Sequence, residues 1–196
     1  LRSRMLALNR DAARYYYSVL QSQEGAAVQA YLDKRRIRRG IAVRFGMGAA
    51  PDSWDALLTA MTHKGYTKQE LISAGLAVNG KNGRLYDKFR NRLMLPVIDV
   101  RDDVVGFGSR VLDKSEPKYM NTPETLTYSK RRILYGMNLA KKSKRSNIIL
   151  CEGNLDVVTL HQAGFDNAVA SMGTALTQEQ MRLLSRYTKG LVLCHD

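Results

Sequence analysis

Apolar residues in the first third of the chain recur at helical spacing. Asn9 stands where it can cap a helix running to Leu20, and Gly25 to Arg36 continues with Val28, Tyr31 and Leu32 on one face. Ser53 follows Pro51 and precedes Trp54, Leu57, Leu58 and Met61, with Gly65 closing that segment. Thr67 and Glu70 then form a capping-box pattern ahead of Leu71 and Ile72. From Arg84 to Leu112 the period shortens to that of strands. Arg92 to Val100 is rich in Leu, Met, Val and Ile, Asp102 and Asp103 interrupt it, and Val104 to Leu112 resumes it, which predicts a hairpin.

The last fifty or so residues alternate between the two periods. Asn147 to Cys151 reads as a short buried strand, Leu155 to Ala163 as a helix ended by Gly164, and Asn167 to Ser171 as a second strand. Gln178 to Tyr187 reads as a second helix behind a Thr177/Gln180 capping box, and Leu191 to Cys194 as a third strand. Strands alternating with helices over short loops imply parallel pairing through right-handed crossovers. The fold class expected is therefore α/β: a mixed α+β part over residues 1–145, followed by a Rossmann-like unit over residues 146–196.

Composition narrows the setting. A chain of 196 residues buries a core without help from metal or disulfides. Its apolar runs fall far short of the ~20 residues that span a bilayer, no secretory leader is evident, and the absence of an initiating Met points to a fragment. The two cysteines, Cys151 and Cys194, both end strand-like runs and are expected as buried, reduced thiols of a cytoplasmic protein.

The net charge of +13 is unevenly spread: 12 Lys/Arg against 6 Asp/Glu in residues 1–80, 16 against 7 in 81–145, and 3 against 5 in 146–196. Such a surplus favours a polyanion, because bound phosphates release condensed counterions. Against that background Gly106 and Gly108, alternating in the second hairpin strand, mark a bulge or a close approach by nucleic-acid backbone, the bulge being the commoner cause. The basic link Lys141 to Arg145 reads equally as a solvated helix end or a DNA contact.

Glu152 and Asp196 directly follow the first and third strands of the last unit, at the carboxyl edge where open α/β sheets bind ligands. If those strands are neighbours the two carboxylates converge, and clustered carboxylates repel unless a cation lies between them. Oxygen-only ligands suit Mg²⁺ bridged to substrate phosphates. Asp156, one helical turn after Glu152, favours the helix N-terminus electrostatically or acts as an outer-shell ligand. Strand-terminal acids also commonly cap loops, so spacing alone leaves both readings open. His195 is assigned a packing or loop role, since a hard-oxygen site has little use for imidazole.

Glu152 to Thr177, EGNLDVVTLHQAGFDNAVASMGTALT, resembles the opening of a Toprim domain, and LCHD at Leu193 to Asp196 resembles the strand entering the Toprim Asp-x-Asp motif. FRNRLMLPV (Phe89 to Val97), GFGSRVL (Gly106 to Leu112) and PKYMNTPET (Pro117 to Thr125) are similar, in order, to segments of the polymerase core of DnaG-type primases. The resemblance implies template-directed synthesis of short RNA primers on single-stranded DNA from ribonucleoside triphosphates, with Mg²⁺ or Mn²⁺ as cofactor. It makes Glu152 the catalytic acid and Asp196 the first Asp of the metal-binding pair, whose second member would lie past Asp196. It places Arg90, Asn91, Arg92, Arg110, Lys118, Tyr119, Asn121 and Lys130 in the groove for nucleic acid and nucleotide. The family's zinc-binding domain and its helicase-binding region have no counterpart in these residues, so zinc and the replicative helicase are expected only elsewhere. Two other readings stay open: a nuclease or topoisomerase-like Toprim enzyme, and a non-catalytic module that binds single-stranded DNA.

Overall fold

Helix α1 (Arg2–Leu20) starts well before Asn9, which corrects the expected cap. Asn9 lies inside the helix, 1% exposed, and donates from Nδ2 to the Val105 carbonyl and to Thr127 Oγ1, each at 3.2 Å. It ties the helix to a sheet instead of starting it. Described here is a computed structural model covering residues 1–195.

Beyond α1 come α2 (Ala26–Lys34), α3 (Arg39–Arg44), β1 (Gly48–Ala50), α4 (Ala56–His63) and α5 (Lys68–Ser73). The Thr67/Glu70 capping box opens α5 as its pattern implies. Helix α4 is capped differently. The hairpin β2 (Ala77–Asn79) and β3 (Leu85–Asp87) brings the Asp87 carboxylate to the start of α4, where it accepts from Leu57 N–H at 2.8 Å and Leu58 N–H at 2.9 Å. A side chain distant in sequence thus satisfies two backbone donors that every helix start leaves open.

The central sheet runs β1-β4-β5-β6, all antiparallel, with β4 (Arg92–Ile98), β5 (Val104–Val111) and β6 (Tyr119–Asn121). The β4–β5 ladder slips between Val97 and Ile98, next to Gly106, so a bulge does accompany that glycine. Packing also requires both glycines. A Cβ on Gly106 would lie 2.8 Å from the Tyr128 ring, and one on Gly108 would lie 2.9 Å from Asn154 Nδ2 and 3.3 Å from Asn121 Oδ1.

The second sheet runs β10-β8-β9-β7. Strands β8 (Asn147–Cys151), β9 (Ala168–Ser171) and β10 (Gly190–Cys194) are parallel, linked by α7 (Asn154–Gln162) and by α8 (Gln178–Ser185) behind the Thr177/Gln180 box. Its far edge is β7 (Leu134–Tyr135), antiparallel to β9 and followed by the short α6 (Met137–Ala140). One apolar cluster joins the two sheets: Val19, Leu95 and Tyr128 pack in it with Tyr135, Val157 and Ala170. Among the described residues no helix is long and apolar enough to cross a membrane.

Cys151 is buried, but Cys194 is exposed, which corrects the expectation that both are covered. The reason is topological: Cys194 sits on the edge strand β10 and Cys151 on the interior strand β8 beneath α7. Lys141 Nζ donates to the Val100 carbonyl and Arg145 Nη2 to the Gly164 carbonyl at 3.0 Å, so this basic link is anchored within the molecule.

Candidate active site

Parallel pairing of β8 with β10 puts Cys151 level with Cys194, and therefore brings the residues after them together at the carboxyl edge of the sheet. Glu152 Oε1 lies 3.0 Å from His195 Nδ1, with the side chains 60% and 44% exposed respectively. The imidazole engages the carboxylate, not the core or a loop backbone, and this contact was not anticipated from sequence. Asp196, expected beside Glu152, lies outside the described residues. Asp156 is the acid in the first turn of α7, and its Oδ2 lies 3.0 Å from where a Cβ on Gly153 would stand. That position lets it interact with the helix N-terminus. Among the described residues no group of three metal-ligating side chains forms. Glu152 suits a hard divalent cation in kind, as an accessible oxygen donor, while further ligands would have to come from Asp196 and from phosphate.

The basic residues divide by what their side chains already hold. Arg92 is 5% exposed and donates from Nη2 to the Pro117 carbonyl at 2.8 Å, so it braces the segment that carries Lys118 and Tyr119. Arg90 lies over the Trp54 ring at 4.2 Å and donates to the Asp87 carbonyl at 2.6 Å. Asn91, at φ +49, lets the chain turn from that stack into β4. Arg110 donates from Nε to the Tyr31 hydroxyl and lies 4.7 Å from the centre of the Tyr119 ring. Tyr119 is itself 54% exposed, and Lys118 is exposed beside it.

Two residue sets that the sequence reading missed join these. Lys88 is half-buried, and its ammonium pKa is lowered first by burial and then by Lys130 and Arg92. The Arg92 pKa is likewise lowered by burial first and by Arg90 next, with Asp113 opposing. Cations crowded this way lose repulsion when a phosphate enters. Along the other flank Tyr31 and Lys34 of α2, with Arg35 just after it, face Arg110 and Lys114 across an open groove of about 790 Å³. Lys88 was obscured by its place in a strand pattern, and the α2 residues by a helical pattern; only the fold brings them to Arg110.

Two contacts tie the basic surface to the acidic edge. Asn121 of β6 and Asn154 at the start of α7 both pack over Gly108: their side-chain ends lie 3.3 and 2.9 Å, and that of Met172 in the loop after β9 lies 3.7 Å, from where a Cβ on that glycine would stand. Gln180 of α8, fully buried, donates from Nε2 to the carbonyls of Lys130 and Ile133 at 3.0 and 2.9 Å. Lys130 is thus held in place by the same helix whose start the Thr177 box defines.

Residues 15–141 match the family described as DNA primase catalytic core, N-terminal domain, and residues 149–196 match the family described as Toprim-like. The chain belongs to the DNA primase catalytic-core family. It is similar to the DNA primases of Clostridium acetobutylicum, at 47% identity over 98% of this chain, and of Escherichia coli, at 40% over 93%. It spans about a third of the length of these relatives, 32% of each. Among solved structures, a DnaG primase catalytic domain bound to single-stranded DNA aligns with TM-score 0.94 and 38% identity, over 98% of this chain and 63% of that one. The RNA polymerase domain of Mycobacterium tuberculosis primase DnaG, in complex with double-stranded DNA with a 6-nucleotide overhang, aligns with TM-score 0.91 and 40% identity, over 98% and 64%. The match over the N-terminal domain separates this primase core from other Toprim enzymes.

Proposed function

We propose that this chain is the part of a primase in which template and incoming ribonucleotide meet: residues 1–145 hold the polyanions and residues 146–196 present the reactive edge. The observation that carries the reading is the pair of contacts just described: Asn121 and Asn154 both packed over Gly108, and the Lys130 carbonyl accepting from Gln180. It sets a cation-lined surface beside a strand edge that bears the accessible Glu152 carboxylate. The enzyme would join ribonucleotides on single-stranded DNA in the cytoplasm, a 3′-hydroxyl attacking the α-phosphate with pyrophosphate leaving.

Each residue has a task its geometry supports. Lys88, Arg90 and Lys130 hold phosphate oxygens and stabilise charge that builds up on them. Arg110 and Tyr119 form a cation and ring pair able to take a phosphate and a base side by side. Lys118 adds an exposed charge, Asn121 a donor beside the edge, and Arg92 keeps this segment in register. Glu152 and Asp196 would hold Mg²⁺ or Mn²⁺ with Asp156 in an outer shell, and the metal would neutralise the triphosphate. The His195 imidazole orients the Glu152 carboxylate.

The test is Glu152→Gln in the open reading frame that carries this chain, assayed by incorporation of labelled ribonucleotide on a single-stranded template. Primer yield should fall by about a hundredfold or more, the scale of losing one well-placed charged group. Affinity for the template should change by less than about twofold, because a carboxylate holds no phosphate and its removal leaves every cation in place. Undiminished primer synthesis removes Glu152 from the mechanism.

A further inference from the structure

The outer face of α1 is not uniformly polar. Arg10, Arg14, Tyr17 and Gln21 follow one another along it at helical spacing, and α3 supplies a second wall through Arg39 and Val43, one turn apart. Two hollows open there and share Tyr17 and Val43 as the ridge between them. The first, of about 260 Å³, is lined by the apolar side chains of Leu20, Leu32, Ile37 and Met47. The second, of about 290 Å³, is lined by Ala13, Pro96, Ile98 and Val104. Each is roomy enough for one leucine or phenylalanine side chain. The ridge itself stands in solvent, Tyr17 36% and Val43 47% exposed. Arg39 Nη2 donates to Gln21 Oε1 at 3.2 Å and so ties the two walls together. This surface lies behind the sheet that carries the proposed groove. Alternation along β5 turns Phe107 toward Tyr16 of α1, at 5.5 Å, and Gly108 toward Asn154, and Pro96 pairs with Phe107.

Charge decides what fits. Arg10, Arg14 and Arg39 line the hollows against a single carboxylate, Asp33. Among the described residues neither Arg10 nor Arg39 meets a carboxylate, and Arg14 only reaches Asp11, at 3.9 Å. Guanidinium groups left over beside apolar hollows match carboxylates that flank apolar side chains. We propose that this double hollow is the docking site for an acidic segment of a partner protein, which seats two neighbouring apolar side chains on either side of the Tyr17–Val43 ridge and sets its carboxylates on Arg10, Arg14 and Arg39. A nucleic-acid strand is the poorer match, because the hollows are aliphatic and Tyr17, the only ring among their lining residues, forms the ridge and not a stacking floor. The inference stands apart from the priming reaction: it concerns the opposite face of the central sheet and uses none of the residues assigned to phosphate or metal.

The probes are fluorescein-labelled peptides of about ten residues, aspartate throughout except for two leucines set one, two, three or four positions apart. They are titrated, with anisotropy as the readout, into the product of the complete reading frame that carries this chain. At least one spacing should bind about tenfold or more tighter than an all-aspartate peptide of equal length, the scale of burying an apolar side chain. Val43→Glu, which sets a carboxylate on the ridge, should weaken that peptide about tenfold. Arg14→Ala should weaken it about threefold, the scale of one exposed ion pair. Both side chains are exposed, so thermal midpoint, oligothymidylate affinity and primer yield should stay as in the wild-type protein. Four results overturn the proposal: no peptide binds; the all-aspartate peptide binds as well as the others; Val43→Glu and Arg14→Ala both leave affinity unchanged; or oligothymidylate displaces the peptide, which would place it in the nucleic-acid groove. None of them touches the primase reading, which the Glu152→Gln assay tests by itself.

Discussion

Asp87→Asn isolates one buried charge that organises this surface. The Asp87 carboxylate is 1% exposed and caps α4 through the Leu57 and Leu58 amides, and burial, the largest influence on it, pushes its pKa from an ordinary 3.8 to about 6. The two amide donors and Arg90 oppose that rise, and Asp55 adds to it. An unfolded Asp ionises near 4, so between pH ~4 and ~6 the folded chain holds a proton that the unfolded chain has released. Stability from this group is therefore fully present below pH ~4 and is lost as pH rises through about 6. A shift of about two pH units corresponds to ~3 kcal/mol across that window. Asn keeps the shape and one acceptor oxygen but cannot ionise. Urea unfolding followed by far-ultraviolet circular dichroism, at intervals from pH 4 to pH 7.5, should show the wild-type chain losing ~3 kcal/mol relative to Asp87→Asn as pH increases. Other titrating groups cancel in that difference if they are independent of position 87. Parallel pH profiles would refute the reasoning. A difference of opposite sign would mean that the amide donors outweigh burial.

Other outcomes follow from particular contacts. In Gly48→Ala the new Cβ lies 2.6 Å from Tyr16 main-chain carbon, which cannot step aside, so a loss of about 3 kcal/mol is expected in thermal unfolding. Gly108→Ala meets only the ends of the Asn154 and Asn121 side chains; stability should fall by about 1 kcal/mol while primer synthesis in the complete reading frame drops about tenfold, separating the tie from the fold. Arg110→Ala should weaken single-stranded DNA binding and lower the magnitude of its log–log salt slope by about 0.7, read by anisotropy at several salt concentrations. A thiol-reactive chromophore should modify Cys194 at once and Cys151 only on unfolding, because burial pushes the Cys151 thiol up to about 11; rapid release of two equivalents would refute that contrast.

What could be read from sequence was whatever a short window contains. The Thr67/Glu70 and Thr177/Gln180 boxes close within three residues, and the hairpin and the β-α-β alternation declare themselves by period. Asn9 and Asp87 misled or stayed silent because their partners lie far along the chain: Asn9 looks like a cap by type yet serves Val105, and α4 is capped from β3 while Ser53 is not its cap. The groove was legible in part. Arg90, Arg110, Lys118 and Tyr119 stand in motifs, but that Arg92 points into a loop, or that Tyr31 and Arg35 cross over to Arg110, depends on tertiary placement. The His195 contact with Glu152 needed the β8–β10 register, which places two strand ends side by side.

The edge strand β7 carries a consequence for how the chain is made. Leu134 and Tyr135 lie ahead of the parallel strands, yet they pair with Ser171 and Ala170 and are almost wholly buried there. As the ribosome delivers the chain from its N-terminus, these two side chains leave the tunnel before their partner strand does. The front part therefore emerges with an apolar seam open, and Tyr135 cannot join the shared core until β9 follows. Completion of the basic surface waits on the same event, because Lys130 is held by Gln180, which is translated later still. A nascent chain whose emerged part ends between residues 146 and 170 would expose both the seam and an unfixed Lys130, and would be the form most in need of a chaperone.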